Sequence, residues 1–481
     1  MTADAFRFAV VALDLFERGV RLRLPFRFGS ATVREAPQAF VRATIRDAAG
    51  RETAGWTAEM MIPKWFDKRP GRTSAENLDD LRRALSLARA AYASGAAPRT
   101  AYGHAATHYR ALVGEGAREA LNPLVVAYGA ALADRAILDA LCRARQASFG
   151  AAVRANLVGL DASLAPDLAD TDLDAFLAAR MSARSIAARH TVGLADPLTA
   201  ADVADAPRDD LPVALDEVLA RYGHRHFKLK LAGAPAADAT RLAAIARVLA
   251  PLPAYVVTLD GNEQFESAAA VDALWQRLRA DRALARFVAS IAYVEQPLPR
   301  EATMTADVTA LASAVPLLID EADDAYDAFP RAQRQGYTGV SSKNCKGPYK
   351  SLVNAARCAT APASRRLFLS GEDLTTQCGL ALQQDLALAG TLGVAHVERN
   401  GHHYVDGFAG QGAPAHEQAA FLRAHPDLYE EGPHGGRVAI RDGCIALGSL
   451  DVPGFASAAL PDLSSLTPMA PGTPHTARRS A

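Results

Sequence analysis

The sequence has no excess of charge of one sign and no long apolar run, and each absence excludes a class of protein. Its 52 basic and 53 acidic side chains nearly cancel, so no global field would draw the chain to nucleic acid or to an anionic membrane surface. No uninterrupted apolar stretch reaches the ~18 residues that a membrane helix needs. We therefore expect a small-molecule partner, with no nucleic acid and no membrane.

Cysteine is also scarce. The five cysteines are widely spaced, form no CxxC pair and are odd in number, which suits reduced thiols and implies no disulfide framework. The first twenty residues, MTADAFRFAVVALDLFERGV, lack the basic start and the unbroken apolar run of a signal peptide. The sequence therefore predicts a cytoplasmic protein.

Half of the residues are hydrophobic and 22% are charged, which is typical of a globular chain. From Phe6 to Met61 apolar and polar residues alternate, with AAGR as a turn, and this pattern predicts a small antiparallel sheet. From Ser74 to Phe149 the apolar residues take helical spacing. Residues 1–150 are thus predicted to form one α+β domain, while residues 155–184 fit either a surface insertion or a helix.

Eight short apolar runs then alternate with helical segments, which is the pattern of a parallel (β/α)₈ barrel of the TIM type over residues 186–412. Residues 413–460 are predicted to pack on the N-terminal domain. The segment 461–481 is rich in Pro, Ser and Thr and is predicted to be disordered. The eight runs are RHTVGL, HFKLKLAG, AYVVTLDGN, IAYVEQP, PLLIDEA, GVSSKN, RRLFLSGED and VAHVERN.

Three acids lie at the carboxyl ends of three consecutive barrel strands: Asp260, Glu295 and Asp320. Strand ends converge on one face of a barrel, so these residues are expected to share a site. Three carboxylates without histidine or cysteine favour a hard cation, Mg²⁺ or Mn²⁺, which also relieves their mutual repulsion. The alternative is that each acid caps the helix after its strand; three acids in register favour the metal.

Lysines flank the acids on neighbouring strands. Period-two alternation puts Lys228 and Lys230 on the same side of HFKLKLAG, facing the barrel interior. A lysine there is expected to meet an opposite charge or to take part in chemistry. In GVSSKNCKG we predict that Lys343 points inward, whereas Lys346 is assigned to a solvated loop.

The order Lys-x-Lys, Asp, Glu-Gln-Pro, Asp-Glu, Lys on successive strands resembles the enolase superfamily, and within it the muconate-lactonizing-enzyme subgroup of the mandelate racemase/muconate lactonizing enzyme family. The resemblance covers most of the chain, with residues 1–150 similar to the capping domain of that family. It implies that the three acids bind the metal, that Lys230 and Lys343 are acid/base catalysts on opposite faces of the substrate, and that Lys228 helps to hold the carboxylate charge. Glu321 and Asn262 are expected next to the metal ligands without contacting the metal.

Substrate choice is expected to depend on two groups of residues. Loops of the capping domain close the site in this family, and the candidates are PFRFGS with Arg27, Phe28 and Gly29, and EMMIPKWFDKRP with Lys64 and Trp65. Ordinary loop packing is the alternative. The last two barrel strands end in polar residues that are predicted to contact the distal part of the substrate, namely Glu372, Glu398, Arg399 and His402.

The chemistry that these parts predict is removal of the proton on the carbon next to a metal-bound carboxylate, through an enediolate. Lysines on both faces favour a racemase or epimerase acting on an amino-acid or dipeptide-like carboxylate, and a cycloisomerase uses the same parts. The alternatives are a lyase or dehydratase of the same superfamily, or a catalytically silent barrel that binds a metabolite. The family resemblance also implies a homo-oligomer.

Overall fold

The structure is a computed structural model that describes residues 6–29, 31–94, 97–207, 209–376, 378–432 and 434–474. Its N-terminal part is an antiparallel sheet in the order β1-β2-β3, with the turn between β2 and β3 at AAGR as predicted. At the end of β1 successive side chains point to opposite faces, so that Phe26 and Phe28 are buried and Arg27 is exposed. The strands are β1 (Phe8–Phe28), β2 (Ala31–Asp47) and β3 (Glu52–Met60).

Helices cover one face of this sheet. The capping box of Thr73 and Glu76 begins the first of them, and Asn122 followed by Pro123 begins the third. Gly55 lets the third helix approach β3 closely, because a Cβ at this position would lie 2.1 Å from the backbone nitrogen of Ala140. The helices are α1 (Ser74–Ala93), α2 (Ala101–Arg118), α3 (Pro123–Ala144), α4 (Phe149–Arg154) and α5 (Leu173–Ala178).

The next strands confirm the predicted (β/α)₈ barrel. Eight strands pair in parallel in chain order, and the last pairs with the first to close the cylinder, with His396 opposite Ala187. In chain order the strands and helices are β4 (Ser185–Val192), α6 (Leu215–Tyr222), β5 (His226–Lys230), α7 (Pro235–Leu249), β6 (Val256–Asp260), α8 (Ala268–Ala280), α9 (Ala285–Ala289), β7 (Ile291–Glu295), α10 (Arg300–Thr303), α11 (Thr309–Ala314), β8 (Leu317–Ile319), α12 (Ala328–Gln333), β9 (Gly339–Ser342), α13 (Pro348–Thr360), β10 (Phe368–Gly371), α14 (Leu380–Leu392) and β11 (His396–Arg399).

The chain after β11 packs against both the N-terminal domain and the barrel. Phe455 stacks on Phe149 with ring centroids 4.0 Å apart, and the carbonyl of Ser457 accepts a hydrogen bond of 2.9 Å from Arg143 at the end of α3. A further strand, β14, pairs antiparallel with β4. The elements are α15 (Gly401–Tyr404), α16 (Ala415–Ala424), β12 (Tyr429–Gly432), β13 (Gly435–Val438), β14 (Cys444–Ala446) and β15 (Thr467–Pro468).

The prediction of a disordered tail is wrong for residues 461–474. Thr467 and Pro468 pair with Glu17 and Phe16 of β1, and the backbone nitrogen of Met469 donates to the carbonyl of Leu15 at 3.0 Å. The pairing uses backbone groups at a sheet edge, so it requires few large apolar side chains. Residues 475–481 lie outside the described part of the chain.

The cap shares its core with the side of the barrel formed by α13 and α14, so apolar side chains of the two domains pack directly against each other. The amide of Gln384 in α14 donates to the carbonyl of Trp56 at 2.8 Å, and Thr57 donates to Gln384 at 2.6 Å. The five cysteines are free thiols. Among the described residues, no helix combines the length and the apolarity needed to cross a membrane.

Candidate active site

A cavity lies between the cap and the carboxyl ends of the barrel strands. The cap contributes apolar and aromatic side chains, and the barrel contributes two lysines and most of the polar groups. Such a mixture of apolar walls and a few placed charges is typical of a small-molecule site. The lining residues are Phe26, Phe28, Ile62, Trp65, Lys230, Lys343, Asp373, Leu374, Thr375, Glu398 and Asn400.

The three predicted acids lie side by side below this cavity. Asp260 and Glu295 are the last residues of β6 and β7 and stand opposite each other in the strand register. Asp320 follows β8 directly. All three side chains are fully buried, and this placement follows from the parallel strands, whose carboxyl ends meet at one face.

Lysines neutralise part of the charge of this trio. Lys228 lies 2.9 Å from Asp260 and 2.8 Å from Glu295. Lys230 donates to Asp260 at 2.6 Å, and Lys343 donates to Asp320 at 2.7 Å. Among the described residues the second carboxylate oxygen of Glu295, Oε2, is buried with no hydrogen-bond partner.

The pKa values of the acids follow from these neighbours. Burial acts to raise the pKa of Asp260, but the Lys228 and Lys230 ammonium groups outweigh it and hold the pKa below its usual value. Burial is outweighed in the same way at Asp320, chiefly by Lys343, and the pKa lies well below its usual range. Burial and the charges of neighbouring carboxylates hold the pKa of Glu295 well above its usual value. Glu295 is thus the member of the trio whose ionised form its surroundings stabilise least.

The residues present fit a hard divalent cation. The donors are carboxylate oxygens, as Mg²⁺ and Mn²⁺ prefer. One of those oxygens, Glu295 Oε2, is buried and unpartnered. Burial and the repulsion of neighbouring carboxylates raise the pKa of Glu295, and a cation would relieve that repulsion.

Lys230 and Lys343 reach the cavity from opposite walls of the barrel. Lys230 ends β5 and Lys343 follows β9, and these strands are four apart in a ring of eight, hence diametrically opposed. Phe26 and Phe28 lie beside the Lys230 ammonium, with ring centroids 5.9 and 6.0 Å away. The ring of Trp65 lies 4.0 Å from the Lys343 nitrogen. Both ammonium groups therefore face aromatic rings of the cap.

Lys343 and Lys228 are held in the charged form. Burial acts to lower the pKa of Lys343, but the Asp320 carboxylate outweighs it and the pKa lies above its usual value. The same balance, with Asp260 and Glu295 as the strongest opposing charges, raises the pKa of Lys228 well above its usual value. Lys228 also donates to Glu372 at 2.7 Å and to Glu398 at 3.0 Å. It lies below the cavity, where it joins carboxylates from four strands.

Asn262 and Glu321 lie beside the trio. The backbone nitrogen of Asn262 donates to Asp260 at 2.9 Å, and its side-chain amide donates to Glu321 at 3.2 Å. Lys68 of the cap donates to Glu321 at 2.7 Å and lies 2.8 Å from Glu263. This cap-to-barrel link was missed at the sequence level, because an exposed-looking lysine in a polar loop carries no periodic signal.

The segment around Trp65 is fixed to the barrel by a second link. Arg300 at the start of α10 donates to the carbonyl of Phe66 at 2.9 Å and to that of Trp65 at 3.3 Å. Arg300 is itself held by Glu263 at 2.8 Å. Lys64, from the same segment, donates to the carbonyl of Arg72 and lies outside the cavity. Of the two cap segments singled out in the sequence, this one contributes Ile62 and Trp65 to the cavity.

The assignment of Lys346 to a solvated loop is wrong. A 3₁₀ turn over Asn344–Lys346 folds this lysine back beneath β8. It is buried and donates to Asp320 at 3.2 Å and to Ser341 at 2.5 Å. Lys346 therefore shares with Lys343 the task of neutralising Asp320, which a strand-and-loop description of GVSSKNCKG did not anticipate.

Of the polar residues at the last two strands, Glu398 lines the cavity and Glu372 does not. Glu398 accepts from Thr191 at 2.5 Å and from the backbone of Asp373 at 3.0 Å. Glu372 is fully buried in the barrel interior, where it pairs with Arg189 and accepts from Tyr293 at 3.2 Å. The prediction for Glu372 is corrected, because its side chain points down into the barrel rather than up at a ligand.

Three further predicted substrate contacts lie away from the cavity. Arg27 is exposed, because it alternates with Phe26 and Phe28 along β1. Arg399 is buried outside the barrel wall, where it pairs with Asp373 at 3.3 Å and with Asp385. His402 packs against other histidines on the outer side of β4. These predictions took polar strand ends as cavity-facing without fixing the side on which each residue lies.

Several cavity residues were not predicted. Phe26 shares the period-two face of Phe28 on β1, so the alternation that identified Phe28 was sufficient to find it. Ile62, Leu374 and Thr375 had no such signal, because they lie in irregular segments. Gln296 was also missed: its side-chain oxygen accepts from the backbone nitrogens of Asp320 and Ala322 at 2.8 and 3.1 Å, and so fixes the orientation of the segment that carries Asp320.

Comparison with known proteins agrees with the fold. Residues 210–454 match the family model described as "Enolase C-terminal domain-like". No curated protein sequence matches the chain. A solved muconate lactonizing enzyme from Pseudomonas fluorescens, complexed with muconolactone, shares the fold at 17% identity, with 96% of this chain and 98% of that chain covered and a TM-score of 0.58. A dipeptide epimerase from Enterococcus faecalis, complexed with Mg and the dipeptide L-Leu-L-Tyr, shares it at 14% identity, with 93% of this chain and 99% of that chain covered and a TM-score of 0.58. An enolase from Mycobacterium smegmatis, complexed with tartrate, shares it at 15% identity, with 98% of this chain and 92% of that chain covered and a TM-score of 0.60.

Proposed function

The chain belongs to the enolase C-terminal domain-like family of the enolase superfamily, and from that premise we propose that it is a Mg²⁺-dependent enzyme that removes the α-proton of a carboxylate substrate and returns a proton to the same carbon. The reaction is a racemisation or epimerisation. The observation that carries the proposal is the placement of two lysines on opposed strands, both lining one cavity above three buried carboxylates.

The two lysines divide the proton transfer between two faces of the substrate. In one direction a neutral Lys230 takes the proton from the carbon, and the C–H electron pair stays on the substrate. The ammonium of Lys343 then gives a proton to the opposite face of the same carbon, which inverts its configuration. In the other direction the roles exchange. The opposed positions of β5 and β9 supply this geometry.

The three acids would hold the cation. Asp260, Glu295 and Asp320 supply carboxylate oxygens for Mg²⁺, with Mn²⁺ as a second candidate. When bound, the cation supplies positive charge that stabilises the substrate carboxylate as its α-carbon loses the proton. Lys228 lies between Asp260 and Glu295 and limits the repulsion among the carboxylates when the substrate adds its own negative charge.

The walls of the cavity support an amino-acid or dipeptide-like carboxylate as the substrate. Phe26, Phe28, Ile62, Trp65 and Leu374 form an apolar boundary that excludes water from the two lysines. Asp373 and Asn400 add polar groups at the mouth of β10 and β11. A solved structure of this fold contains a dipeptide, L-Leu-L-Tyr, in a dipeptide epimerase. Dipeptides are therefore the first compounds to test, before N-acylamino acids and acid sugars.

Exchange of the α-proton in D₂O tests the proposal directly. The protein is incubated with Mg²⁺ and each candidate acid, and loss of the α-proton signal is followed by NMR. We expect Lys230→Ala and Lys343→Ala each to slow inversion by ~10²-fold or more, and each to slow exchange of the enantiomer whose α-proton the missing lysine removes. Lys64→Ala is the matched control, since Lys64 is a cap lysine outside the cavity. Exchange that proceeds unchanged in both cavity variants would falsify the mechanism.

The same experiment separates the alternatives. Inversion with exchange supports a racemase or epimerase. A new product with loss of the starting acid indicates a cycloisomerase or a lyase, which needs one lysine and a leaving group. Absence of exchange with every acid, at full Mg²⁺ occupancy, favours a catalytically silent metabolite-binding barrel. We further propose a cytoplasmic location and a homo-oligomeric state, which cell fractionation and light scattering would test.

A further inference from the structure

A cluster of buried histidines lies outside the barrel wall, where the cylinder closes between β11 and β4. His190 belongs to β4, His224 precedes β5, and His402 belongs to α15, directly after β11. The neighbour of His190 along the strand, Thr191, points into the barrel and donates to Glu398, so His190 points outward. One nitrogen of each of the three histidines lies within 4.8 Å of the others. The cluster is therefore separate from the acid trio.

Hydrogen bonding leaves nitrogens of this cluster without partners. The Nδ1 of His224 donates to the carbonyl of Ala188 at 3.1 Å, so in the neutral ring Nε2 is the nitrogen with the lone pair. Among the described residues, that Nε2 and the Nδ1 of His402 are buried with no hydrogen-bond partner. Burying an unpaired polar atom costs about 1–3 kcal/mol. A ligand that accepts the lone pair of His224 Nε2 removes that cost at this atom; the His402 nitrogen that faces His190 is Nε2.

The spacing of the nitrogens fits coordination better than a hydrogen bond. Nδ1 of His190 and Nε2 of His402 are 3.4 Å apart, which is longer than the usual hydrogen-bond range of about 2.7–3.2 Å. Two imidazole nitrogens each about 2.0–2.1 Å from a tetrahedral Zn²⁺ lie about 3.4 Å from each other. The carbonyl partner of His224 is also the usual outer contact of a metal-bound histidine, since it fixes which nitrogen faces the metal.

The surroundings keep the rings in the form that binds metals. Burial lowers the pKa of His224 to about 4 and the pKa of His190 and His402 well below the usual value, so all three are neutral near pH 7. The nearby guanidinium of Arg23 is neutralised by Asp209, with one N–O distance of 3.0 Å. Three imidazoles with no carboxylate suit Zn²⁺ or a similar transition metal and do not suit Mg²⁺.

We propose that His190, His224 and His402 form a second, structural metal site for Zn²⁺ or a chemically similar divalent transition metal. The ion would tie α15 to β4 and to the segment before β5, across the closure of the barrel. Asn400, which lines the active-site cavity, immediately precedes α15. The site thus stabilises the strand end that carries part of the cavity, and it does not depend on the proposed reaction.

The test is zinc stoichiometry in the full-length protein. The protein is stripped with a chelator, dialysed into excess Mg²⁺ to occupy oxygen-ligand sites, and titrated with Zn²⁺, with bound zinc measured by mass spectrometry. We expect one tightly bound zinc per chain, and an affinity lower by at least tenfold in His224→Gln and His402→Gln, since even loss of an outer partner of a ligand costs about 10- to 100-fold. His104→Gln is the matched control, because His104 is a buried cap histidine that also contacts a backbone carbonyl.

A second measurement on the unmodified chain keeps the proposal open to refutation if a variant does not fold. Co²⁺ added in excess Mg²⁺ should give the intense visible absorption of a tetrahedral, nitrogen-ligated ion, and Zn²⁺ should abolish it. Zinc should also raise the thermal midpoint of the wild type and of His104→Gln. Failure of the wild-type chain to retain zinc or to give this cobalt spectrum overturns the proposal. So does equal zinc affinity in His224→Gln, His402→Gln and His104→Gln.

Discussion

The cap interior and the barrel interior both bury ionised side chains, but they pair them in different ways. In the cap two buried acids each have their own guanidinium: Glu59 accepts from Arg135 at 2.8 Å, and Asp139 accepts from Arg143 at 2.7 Å. In the barrel, Lys228 alone lies within 3.0 Å of four carboxylates. A dedicated pair fixes one arrangement, whereas a shared lysine leaves charge that a cation or a substrate can rebalance. The difference separates buried charge that holds the fold from buried charge that is available for chemistry.

Removal of the shared lysine, Lys228, is the strongest test of this difference between the barrel and the cap. Lys228→Met leaves several buried carboxylates without their common partner, and we expect the free energy of unfolding to fall by about 5 kcal/mol, the upper end for a broken buried ion pair. Urea denaturation without added metal measures it. The exposed Arg51, which pairs with Asp47 at the surface, provides the control Arg51→Met with no measurable loss. Equal stability of the two variants would contradict the shared role of Lys228.

A dedicated pair should behave differently, because its cost is local. Arg135→Met leaves Glu59 unpaired in the cap and should lower the free energy of unfolding by about 3 kcal/mol. Adding Glu59→Gln should recover most of that loss, since no charge then remains buried alone. A double-mutant cycle by urea denaturation measures the recovery. A double variant no more stable than Arg135→Met alone would show that Arg135 acts through its other contacts, such as the carbonyl of Ala58.

Added cation should stabilise the barrel and leave the cap pairs unaffected. At 100 times its dissociation constant, Mg²⁺ should raise the free energy of unfolding by about 2.7 kcal/mol. Glu295→Gln should abolish this increment because it removes one proposed ligand, whereas the cap variant Glu59→Gln should retain it. Thermal unfolding with and without Mg²⁺ measures both. An increment that persists in Glu295→Gln would remove Glu295 from the proposed ligand set.

The pH dependence of stability gives the smallest effect and belongs to the cap. Burial raises the pKa of Asp134 to about 8 from an ordinary value of 3.8, so between these values the folded protein binds a proton that the unfolded chain has released. Stability contributed by this group is therefore present at low pH and is lost as the pH rises towards 8, by up to about 1.4 kcal/mol per pH unit. Asp134→Asn should remove that slope between pH 6 and 7.5. An identical slope in both proteins would refute the assignment.

The barrel and the acid trio were predictable because they depend on periodic signals. Each acid ends a short apolar run, and parallel strands bring such ends together, so Asp260, Glu295 and Asp320 follow from the pattern and the strand order. Period-two alternation in HFKLKLAG likewise placed Lys228 and Lys230 inside the barrel. The side chains that lie next to these residues in the chain inherit part of the same signal, as Asn262 and Glu321 show.

The wrong predictions concern residues whose side-chain direction cannot be read from the periodic pattern of apolar and polar residues. Lys346 turns back beneath Asp320 in a single 3₁₀ turn, and Arg399 and His402 leave the barrel on its outer side. Whether a polar residue at a strand end faces the cavity or the outer layer depends on the exact residue at which the strand stops, and a one-residue error reverses the side. The pairing of Thr467 with β1 is a backbone contact between distant segments, which no local pattern encodes.

The strand register described for Asp260 and Glu295 also bears on how such a site diverges among related sequences. These residues are partners across adjacent parallel strands, as are Lys230 and Asp260. Their separation is therefore set by the hydrogen-bonded strand spacing, about 4.8 Å, and not by any particular side-chain packing. A chain can replace most of its core and keep this spacing as long as the barrel closes. The cap segment that carries Ile62 and Trp65 lines the cavity but lies outside any such ladder, so it is where new substrates can be accommodated at little structural risk.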